Sequence, residues 1–451
     1  MRIKDYLKKA KEKGLKEVVK WCLKKVIGKS KKTVAQKQYK LLLLTNRDSD
    51  NVGDQVIEAC AISLLSAVMK NLNLDVKITS RAAGMITKKY LATREEEQLQ
   101  SAENSIKGTD LIVFGGAPLF NWHHQVFYER TAITLELAQK YEKPVIFSSI
   151  GVEGYDENNK RCQRLKRTLE FDCVKQITTR DDFESLKEFA ENSNALLDKV
   201  ADPAVFVEQV FKKQISSSVK KGKKKIGVFV LRAGGFVDNN INFDSEDAVA
   251  LWKGLIAEIE SKGYDYELLT SGHFSDEAFL DYLIRKHGID EKKCVFNMNL
   301  PETLVQKIAC YDAIISCRLH PSIIAFSLGI PAVGIVWNSK VKYFYDNIGY
   351  GERAILMNNI SPEQLIKKIE EVMKQGVEKD EEYLMSVYRT LFHGVYHALK
   401  VKNDVMPYTY TELLENLPVF EGTSKKEEQE KLRRKFRRIY DSYNTLREKK
   451  C

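Results

Sequence analysis

The sequence lacks the features of a membrane-spanning, secreted or metal-centred protein. No apolar run approaches the roughly 20 residues that a bilayer-spanning helix needs. The first residues, MRIKDYLKKAKEKGLKEVV, are too densely charged for the apolar centre of a secretory signal. The eight cysteines form no CxxC pair, which argues against a zinc, iron–sulfur or disulfide framework. These absences predict a cytoplasmic protein with reduced thiols.

The length and the charge distribution limit the fold and the partners. At 451 residues the chain is too long for one compact core and suits two domains. Residues 1–40 hold 14 Lys and one Arg against three acidic residues, a net charge of +12, and residues 424–451 have a net charge of +6. The whole chain has a net charge of +10, so residues 41–423 carry −8. A nucleic-acid binder needs a basic surface on the fold itself, so we expect no nucleic-acid partner.

Both basic ends carry apolar residues at helical spacing. We predict a basic amphipathic helix over residues 1–40. The apolar stripe of the tail is Leu432, Phe436, Ile439, Tyr440, Tyr443 and Leu446. One interpretation is that these ends bind an anionic membrane surface, which would place the protein at the inner face of the membrane. The other, which we favour for both ends, is that they dock on the protein's own surface.

Between the ends, short apolar runs alternate with longer amphipathic stretches. The runs at 41–44, 111–114 and 145–150 predict strands, and a second set begins at residue 226. Such alternation indicates mainly parallel sheets covered on both faces. We therefore predict an α/β protein with two doubly wound, Rossmann-like domains facing a crevice. The predicted segments are an N-terminal helix 1–40, an N-terminal α/β domain 41–205, a lysine-rich linker 206–225, a C-terminal α/β domain 226–372 and a helical region 373–451.

Arg318 and His320 follow a predicted strand, AIISC, at 313–317. Ligands of doubly wound sheets bind beyond the carboxyl ends of the strands, so both side chains should face the crevice. A helix begins at this turn, and its free N–H groups and dipole favour a phosphate or carboxylate. An arginine with a histidine suits anion binding and proton transfer. The alternative is structural: Arg318 pairs with a nearby carboxylate, and His320 caps the turn.

The first strand is followed by TNRDSDNVGDQVI, which places Asn51, Gly53 and Asp54 in a strand-to-helix turn. Asp54 is predicted to cap the following helix. Gly53 permits close approach by a ligand or by neighbouring backbone. These three residues should therefore lie at the same edge of the sheets as Arg318 and His320.

Two further strand ends add polar groups to that edge. The stretch DLIVFGGAPLFNWHH ends a strand in Gly115 and Gly116 and continues to His123 and His124. The stretch QITTRDDFES places Arg180 at another strand end. Each signal is weak alone, because a glycine pair after a strand is often only a turn. Together they predict one polar site between two sheets.

Over residues 41–360 the sequence resembles the polysaccharide pyruvyl transferases. The resemblance is carried by the ordered motifs NVGD (51–54), DLIVFGGAPLF (110–120), TTRDDFES (178–185), ADPAVF (201–206) and SCRLHPSIIAFSLGIPAVGI (316–335), followed by Lys340, Phe344 and Gly349. One departure is Ala117, where the family commonly has a third glycine. The added methyl group is expected to narrow the loop or to alter acceptor fit.

The resemblance implies a GT-B-like pair of domains that transfers pyruvate from phosphoenolpyruvate to a sugar, with the donor bound by the C-terminal domain, residues 226–372. The product would be a ketal that bridges two hydroxyls of a cell-surface glycan precursor, free or lipid-linked. His320 would be the general acid, or a phosphate ligand if another group donates the proton. Arg318 and Arg180 would bind the anionic donor, and Arg232 and Lys340 are weaker candidates for the same role. His123 or His124 would contact the sugar. We expect no metal and no cofactor.

Two other functions fit parts of the sequence. A GT-B nucleotide-sugar glycosyltransferase shares the two-domain plan and a similar helix followed by Gly-x-Pro. A membrane-associated scaffold without activity would explain the basic ends. The polar groups collected at strand ends favour an enzyme over a scaffold.

Overall fold

The computed structural model describes residues 37–122, 125–215 and 222–448, and residues from Tyr39 onward form one compact unit. Residues 1–36 of the predicted N-terminal helix lie outside the described residues. The first strand begins at Tyr39, close to the predicted start of the N-terminal domain.

The N-terminal lobe is built on parallel strands covered by helices. Its strands are β1 (Tyr39–Thr45), β2 (Val76–Ala82), β3 (Leu111–Gly115), β4 (Phe120–Asn121), β5 (Val145–Ile150), β6 (Val152–Glu153), β7 (Val174–Thr179) and β8 (Leu196–Lys199). Its helices are α1 (Val52–Asn71), α2 (Lys88–Thr93), α3 (Gln100–Lys107), α4 (Tyr128–Lys140), α5 (Lys160–Leu169), α6 (Phe183–Phe189), α7 (Val207–Val210) and α8 (Lys212–Ile215). The main sheet has the order β2-β1-β3-β5-β7-β8, and β4 pairs with β6.

The C-terminal lobe repeats this plan. Its strands are β9 (Lys225–Phe229), β10 (Asp265–Leu269), β11 (Cys294–Val295), β12 (Ala313–Ser316), β13 (Ala332–Val336) and β14 (Ala354–Leu356). Its helices are α9 (Ala233–Val237), α10 (Ser245–Ser261), α11 (Phe274–His287), α12 (Pro301–Ala309), α13 (Leu319–Ser327), α14 (Ser339–Asn347) and α15 (Pro362–Gln375). The sheet order is β11-β10-β9-β12-β13-β14, the order of a Rossmann fold.

The apolar runs form central strands because both of their faces are covered. Leu41 to Leu44 in β1 are at most 3% exposed, and all strand pairs in both main sheets are parallel. Parallel sheets are stable when helices cover both faces, which is why these strands read as continuous hydrophobic runs. The prediction of two doubly wound domains is confirmed.

Helix α1 is a core helix of the N-terminal lobe. Its length and composition would allow it to cross a membrane, but nearly all of it is buried inside the protein. The residues that cover it include Leu304 and Val305 of α12, so α1 packs against the other lobe as well as against its own sheet.

The chain returns to the N-terminal lobe after the second sheet. The last helices are α16 (Glu381–Ala398), α17 (Tyr410–Asn416) and α18 (Lys425–Glu448). Helix α16 packs on α1, β5 and β7, and its Tyr388 hydroxyl accepts a hydrogen bond of 2.8 Å from Asn71 Nδ2. One continuous apolar core consequently contains residues of both lobes and of α16.

The segment predicted as a linker is partly regular structure. Residues 207–210 and 212–215 form α7 and α8, and Val207, Val210 and Phe211 are buried in the shared core. The prediction of a linker over all of 206–225 was therefore wrong in its first half, because apolar side chains in that half join the core. Residues 216–221, the Ser- and Lys-rich part, lie outside the described residues.

Candidate functional site

A cavity of about 450 Å³ lies at the carboxyl ends of the strands of both sheets. Residues that follow β1, β7, β10, β12 and β13 line it. It lies beside the two places where the strand order reverses, between β1 and β3 in one sheet and between β9 and β12 in the other. This is where ligands bind in doubly wound folds.

His320 lies in this cavity, in the first turn of α13, and its ring packs against Gly53 in α1. A methyl group built on Gly53 would overlap Cβ, Cγ and Nδ1 of the histidine. The absence of a side chain at Gly53 is therefore what admits the imidazole. Close approach was predicted for this glycine, and the group that approaches is a histidine side chain from the other lobe.

Asn51 orients the imidazole. Its Oδ1 accepts a hydrogen bond of 3.3 Å from Gly53 N–H, and its Nδ2 is 3.1 Å from His320 Nδ1. An amide nitrogen can only donate, so Nδ1 accepts and the neutral ring carries its proton on Nε2. Nε2 is 3.8 Å from Asp54 Oδ1 and has no hydrogen-bond partner among the described residues. Asn51 is also the N-cap of α1, so the prediction that Asp54 caps this helix was wrong.

The environment shifts the pKa values of His320 and Asp54 in opposite directions. Burial lowers the pKa of His320 well below its usual value of 6.5, and the positive charges of Arg180, Lys340 and Arg318 lower it further. Burial raises the pKa of Asp54 to about 6, although hydrogen bonds from Ser49 and Asn46 and the charges of Arg180 and Lys340 oppose the rise. The site thus holds a neutral imidazole beside a carboxyl group that titrates near neutrality.

Arg180 lines the cavity immediately after β7 and is 5% exposed. Its Nη1 donates to Asp202, and its Nε lies 3.7 Å from Asp181 Oδ2. Nε has no hydrogen-bond partner among the described residues. A buried guanidinium with an unused donor beside a cavity is a receptor for an anion.

Arg318 lines the cavity but is held by a buried carboxylate. Its Nε and Nη2 donate to Asp276 Oδ2 at 2.9 and 2.5 Å, and Asp276 is fully buried in the first turn of α11. The guanidinium also lies 5.3 Å from the ring centroid of Trp337. The structural alternative raised from the sequence therefore holds for Arg318. It does not hold for His320, because α13 has no side-chain cap.

Lys340 reaches the same cavity from the first turn of α14. Its Nζ is 3.0 Å from Glu153 Oε1, and Glu153 lines the cavity from β6. The ammonium group is 6.0 Å from the ring centroid of Trp337. A lysine after β13 and an arginine after β7 thus bring positive charge from both lobes to one cavity.

Other predicted site residues do not line the cavity. Arg232 is the N-cap residue of α9, and its Nη2 is 3.2 Å from Asp238 Oδ2. Gly115 and Gly116 are buried at the end of β3, where a methyl group on Gly116 would overlap Ile57 and the φ of +61° at Gly116 favours glycine. Both glycines pack inside their own lobe. His123 and His124 lie outside the described residues.

The sequence analysis missed several residues of the cavity, among them Asn46, Ser49, Glu153, His273 and Trp337. His273 follows β10 at the start of α11, and its pKa is lowered by burial and by the nearby Arg318. The same strand-end rule that identified Arg318 applies to SGHFSDE after β10. His273 could therefore have been predicted from the sequence. The pairing of Asp276 with Arg318 could not, because the two residues are distant in sequence.

Comparisons with known proteins support the same fold and identify a family. The model of the family described as Polysaccharide pyruvyl transferase matches residues 51–339. A Listeria monocytogenes structure described as a UDP-N-acetylglucosamine 2-epimerase has a TM-score of 0.51 at 11% identity, covering 83% of this chain and 100% of that chain. The MnaA–UDP complex of S. aureus has a TM-score of 0.50 at 12% identity, with the same coverage. No curated protein matches the chain. At these identities the two structures show that the fold is shared.

Proposed function

The chain belongs to the polysaccharide pyruvyl transferase family, and on that premise we propose that it transfers pyruvate from phosphoenolpyruvate to sugar hydroxyls of a cell-surface polysaccharide precursor. The observation that carries the choice of donor is the set of three cations, Arg180, Lys340 and Arg318, which line one cavity together with His320. Phosphoenolpyruvate carries a phosphate and a carboxylate, and cationic side chains are the receptors for both groups. The reaction needs no metal or cofactor in this proposal.

The anion site and the proton donor are coupled through charge. Burial is the main cause of the low pKa of His320 in the free protein, and the cations that lower it further are the ones that the donor would neutralise. Binding of the anionic donor would therefore raise the pKa of His320 and lead Nδ1 to take up a proton. In this proposal the Asn51 amide turns so that its oxygen accepts from the new Nδ1–H. In this way the imidazole becomes an acid only when the donor is present.

The proposed first step adds the sugar to the donor. His320 protonates the methylene carbon C3 of phosphoenolpyruvate while a sugar hydroxyl oxygen forms a bond to C2. Asp54, with a pKa of about 6, accepts the proton of that hydroxyl. The result is a tetrahedral C2 that bears the methyl, carboxylate, phosphate and sugar-oxygen groups.

The proposed second step closes the ketal and restores the enzyme. The bond from C2 to the phosphate oxygen breaks, and the protonated Asp54 gives its proton to the departing phosphate. A second sugar hydroxyl attacks C2, and its proton returns to the neutral His320. The products are one ketal and one phosphate. Asp54 is again a carboxylate, and the proton that His320 holds is released to solvent when the phosphate leaves the site.

Release of phosphate from phosphoenolpyruvate tests the proposal. The purified protein is assayed with free and lipid-linked hexose and N-acetylhexosamine glycosides, alongside the variants His320→Gln and Lys340→Met. We expect a loss of at least about 100-fold for His320→Gln, in the range of general acid catalysis, and a raised KM for Lys340→Met. The control is His393→Gln, an exposed histidine of α16, which should leave turnover unchanged.

The glycosyltransferase alternative predicts a different ligand. A nucleotide-sugar transferase would be stabilised against heat by a nucleotide sugar in a saturable manner and unaffected by phosphoenolpyruvate. That pair of results would overturn the proposed donor. Stabilisation by phosphoenolpyruvate that is lost in Lys340→Met would support it.

A further inference from the structure

Helix α18 docks on the protein through its charged side. Arg438 Nη1 is 2.7 Å from Asp50 Oδ1 in the N-terminal lobe, and Lys435 Nζ is 2.8 Å from Glu277 Oε2 in the C-terminal lobe. Lys435 also donates to Gly272 O at 3.1 Å. The helix therefore bridges both lobes by ion pairs and hydrogen bonds.

Beside this docked side, α18 carries an exposed apolar stripe, which we call the outer stripe. Its first residue, Leu432, also borders the groove between the helix and the protein. It consists of Leu432, Phe436, Tyr440 and Tyr443, with exposures of 45, 68, 56 and 59%. These positions are four, four and three residues apart, so they share one face of the helix. The rings of Phe436 and Tyr440 are stacked, with centroids 6.5 Å apart.

This orientation is the reverse of that in an ordinary surface helix. A surface helix normally turns its apolar face inward and its charges to water. The tail does dock on the protein, as we favoured from the sequence, but its apolar stripe faces outward. A contiguous row of exposed large apolar side chains marks an interaction surface.

The charges beside the outer stripe indicate what covers it. Arg433 and Arg437 are exposed next to Phe436, and Lys425 and Lys426 are exposed at the start of the helix. The exposed acidic side chains of α18, Glu430 and Asp441, are two positions from Leu432 and five from Phe436, so they lie well round the helix from the outer stripe. Aromatic and aliphatic side chains flanked by Arg and Lys suit the interface of a bilayer with anionic headgroups.

We propose that the outer stripe of α18 binds an anionic membrane surface. Basic helices of this kind hold a protein reversibly, and a second basic signal strengthens the attachment. Residues 1–40, with a net charge of +12, supply such a signal in the sequence. This inference does not depend on the proposed reaction.

The position of α18 gives the proposal a functional consequence. Its inner face contacts Asp50 and Gly272, and the neighbouring residues Asn51 and His273 line the cavity. A bilayer bound by the outer stripe would therefore lie close to the cavity rim. An acceptor carried on a membrane lipid fits that placement.

Photo-crosslinking tests the contact at residue level. The full-length protein carries p-benzoylphenylalanine at position 436, or at 282 as a control, since Tyr282 is an exposed aromatic of α11 with an exposure of 41%. Each protein is irradiated with vesicles of phosphatidylcholine containing 30% phosphatidylglycerol. Lipid adducts at 436 in at least tenfold excess over 282 would support the proposal. Equal yields at the two positions, or adducts only to protein, would overturn it.

Vesicle co-sedimentation provides an independent measurement. We expect Phe436→Ala with Tyr440→Ala to lose at least tenfold in affinity for anionic vesicles, and Tyr282→Ala to bind like the parent. Pure phosphatidylcholine vesicles should bind none of the three. Unchanged affinity of the double variant, or absence of binding by the parent, would reject the membrane as the partner of the outer stripe.

Discussion

The imidazole of His320 lies against the α-carbon of Gly53, so a residue of one lobe holds a residue of the other in place. Asn51, two residues earlier, fixes which ring nitrogen carries the proton. The residues of the NVGD motif thus have a structural role: Gly53 leaves room for the His320 ring, and Asn51 forms a hydrogen bond with it. The motif forms the start of α1, and this first turn of the helix is the surface against which the imidazole packs.

Gly53→Ala should damage activity more than folding. The added methyl group would displace the ring, and a shift of about 1 Å in a catalytic group can cost about 100-fold in rate. Overpacking should lower the free energy of unfolding by about 1–3 kcal/mol. Steady-state kinetics and urea denaturation measure the two effects. Gly84→Ala is the control, because its nearest contact would be an ordinary 3.4 Å from the flexible Arg130 side chain.

Donor binding should take up a proton. The pKa of His320 is low in the free protein and rises when the donor offsets the surrounding cations, so between these two pKa values binding strengthens as pH falls. Calorimetry in two buffers of different ionisation enthalpy measures the proton count. His320→Gln should take up fewer protons on binding phosphoenolpyruvate, and the remaining uptake should belong to Asp54, because Arg180 and Lys340 also lower the pKa of that carboxyl group. Undiminished proton uptake in His320→Gln would assign it to a group other than His320.

Asp54→Asn should stabilise the protein while reducing activity. The pKa of Asp54 is about 6 in the folded protein against 3.8 for the exposed group, so folding is penalised progressively as pH rises from 3.8 to about 6. Above that range the penalty is constant at about 3 kcal/mol, since one pKa unit corresponds to about 1.4 kcal/mol. Urea denaturation should therefore show a more stable variant at pH 8 and little difference near pH 4.

The control for that measurement is Asp404→Asn, which changes an exposed carboxylate and should not alter the pH dependence of stability. An Asp54→Asn variant that is equally stable at pH 8 and fully active would contradict both the raised pKa and the proposed role as base.

The Arg318–Asp276 ion pair allows structural and binding roles to be separated. Arg318→Met leaves the buried Asp276 carboxylate without its cation, and breaking such a pair costs about 3–5 kcal/mol. Adding Asp276→Asn should restore most of that stability. If Arg318 also contacts the donor, the double variant will fold well and still have a raised KM for phosphoenolpyruvate. A normal KM in the double variant would limit Arg318 to a structural role.

The positions of the site residues were predictable where a local rule applies. Arg180, Arg318 and His320 each follow a short apolar run, and the carboxyl ends of parallel strands meet at one edge. The same rule would have found His273. It failed for Gly115 and Gly116, because a positive φ and tight packing explain those glycines without a ligand.

Partners that are distant in sequence were not predictable. Nothing near Arg318 indicates that Asp276 would pair with it, since α11 and α13 meet only in the folded lobe. The orientation of α18 was also beyond sequence reasoning. Its stripe predicts an apolar face correctly, but ion pairs with Asp50 and Glu277 decide which face meets the protein.

The apolar core that contains α1, α12, α13 and α16 has a mechanical consequence. Closely packed interiors resist gradual deformation, so we expect no hinge opening between lobes that are joined by such a core. The spacing between Gly53 and His320 should then stay constant during turnover. In the proposed reaction, the shape of the cavity and of the loops around it would select the acceptor.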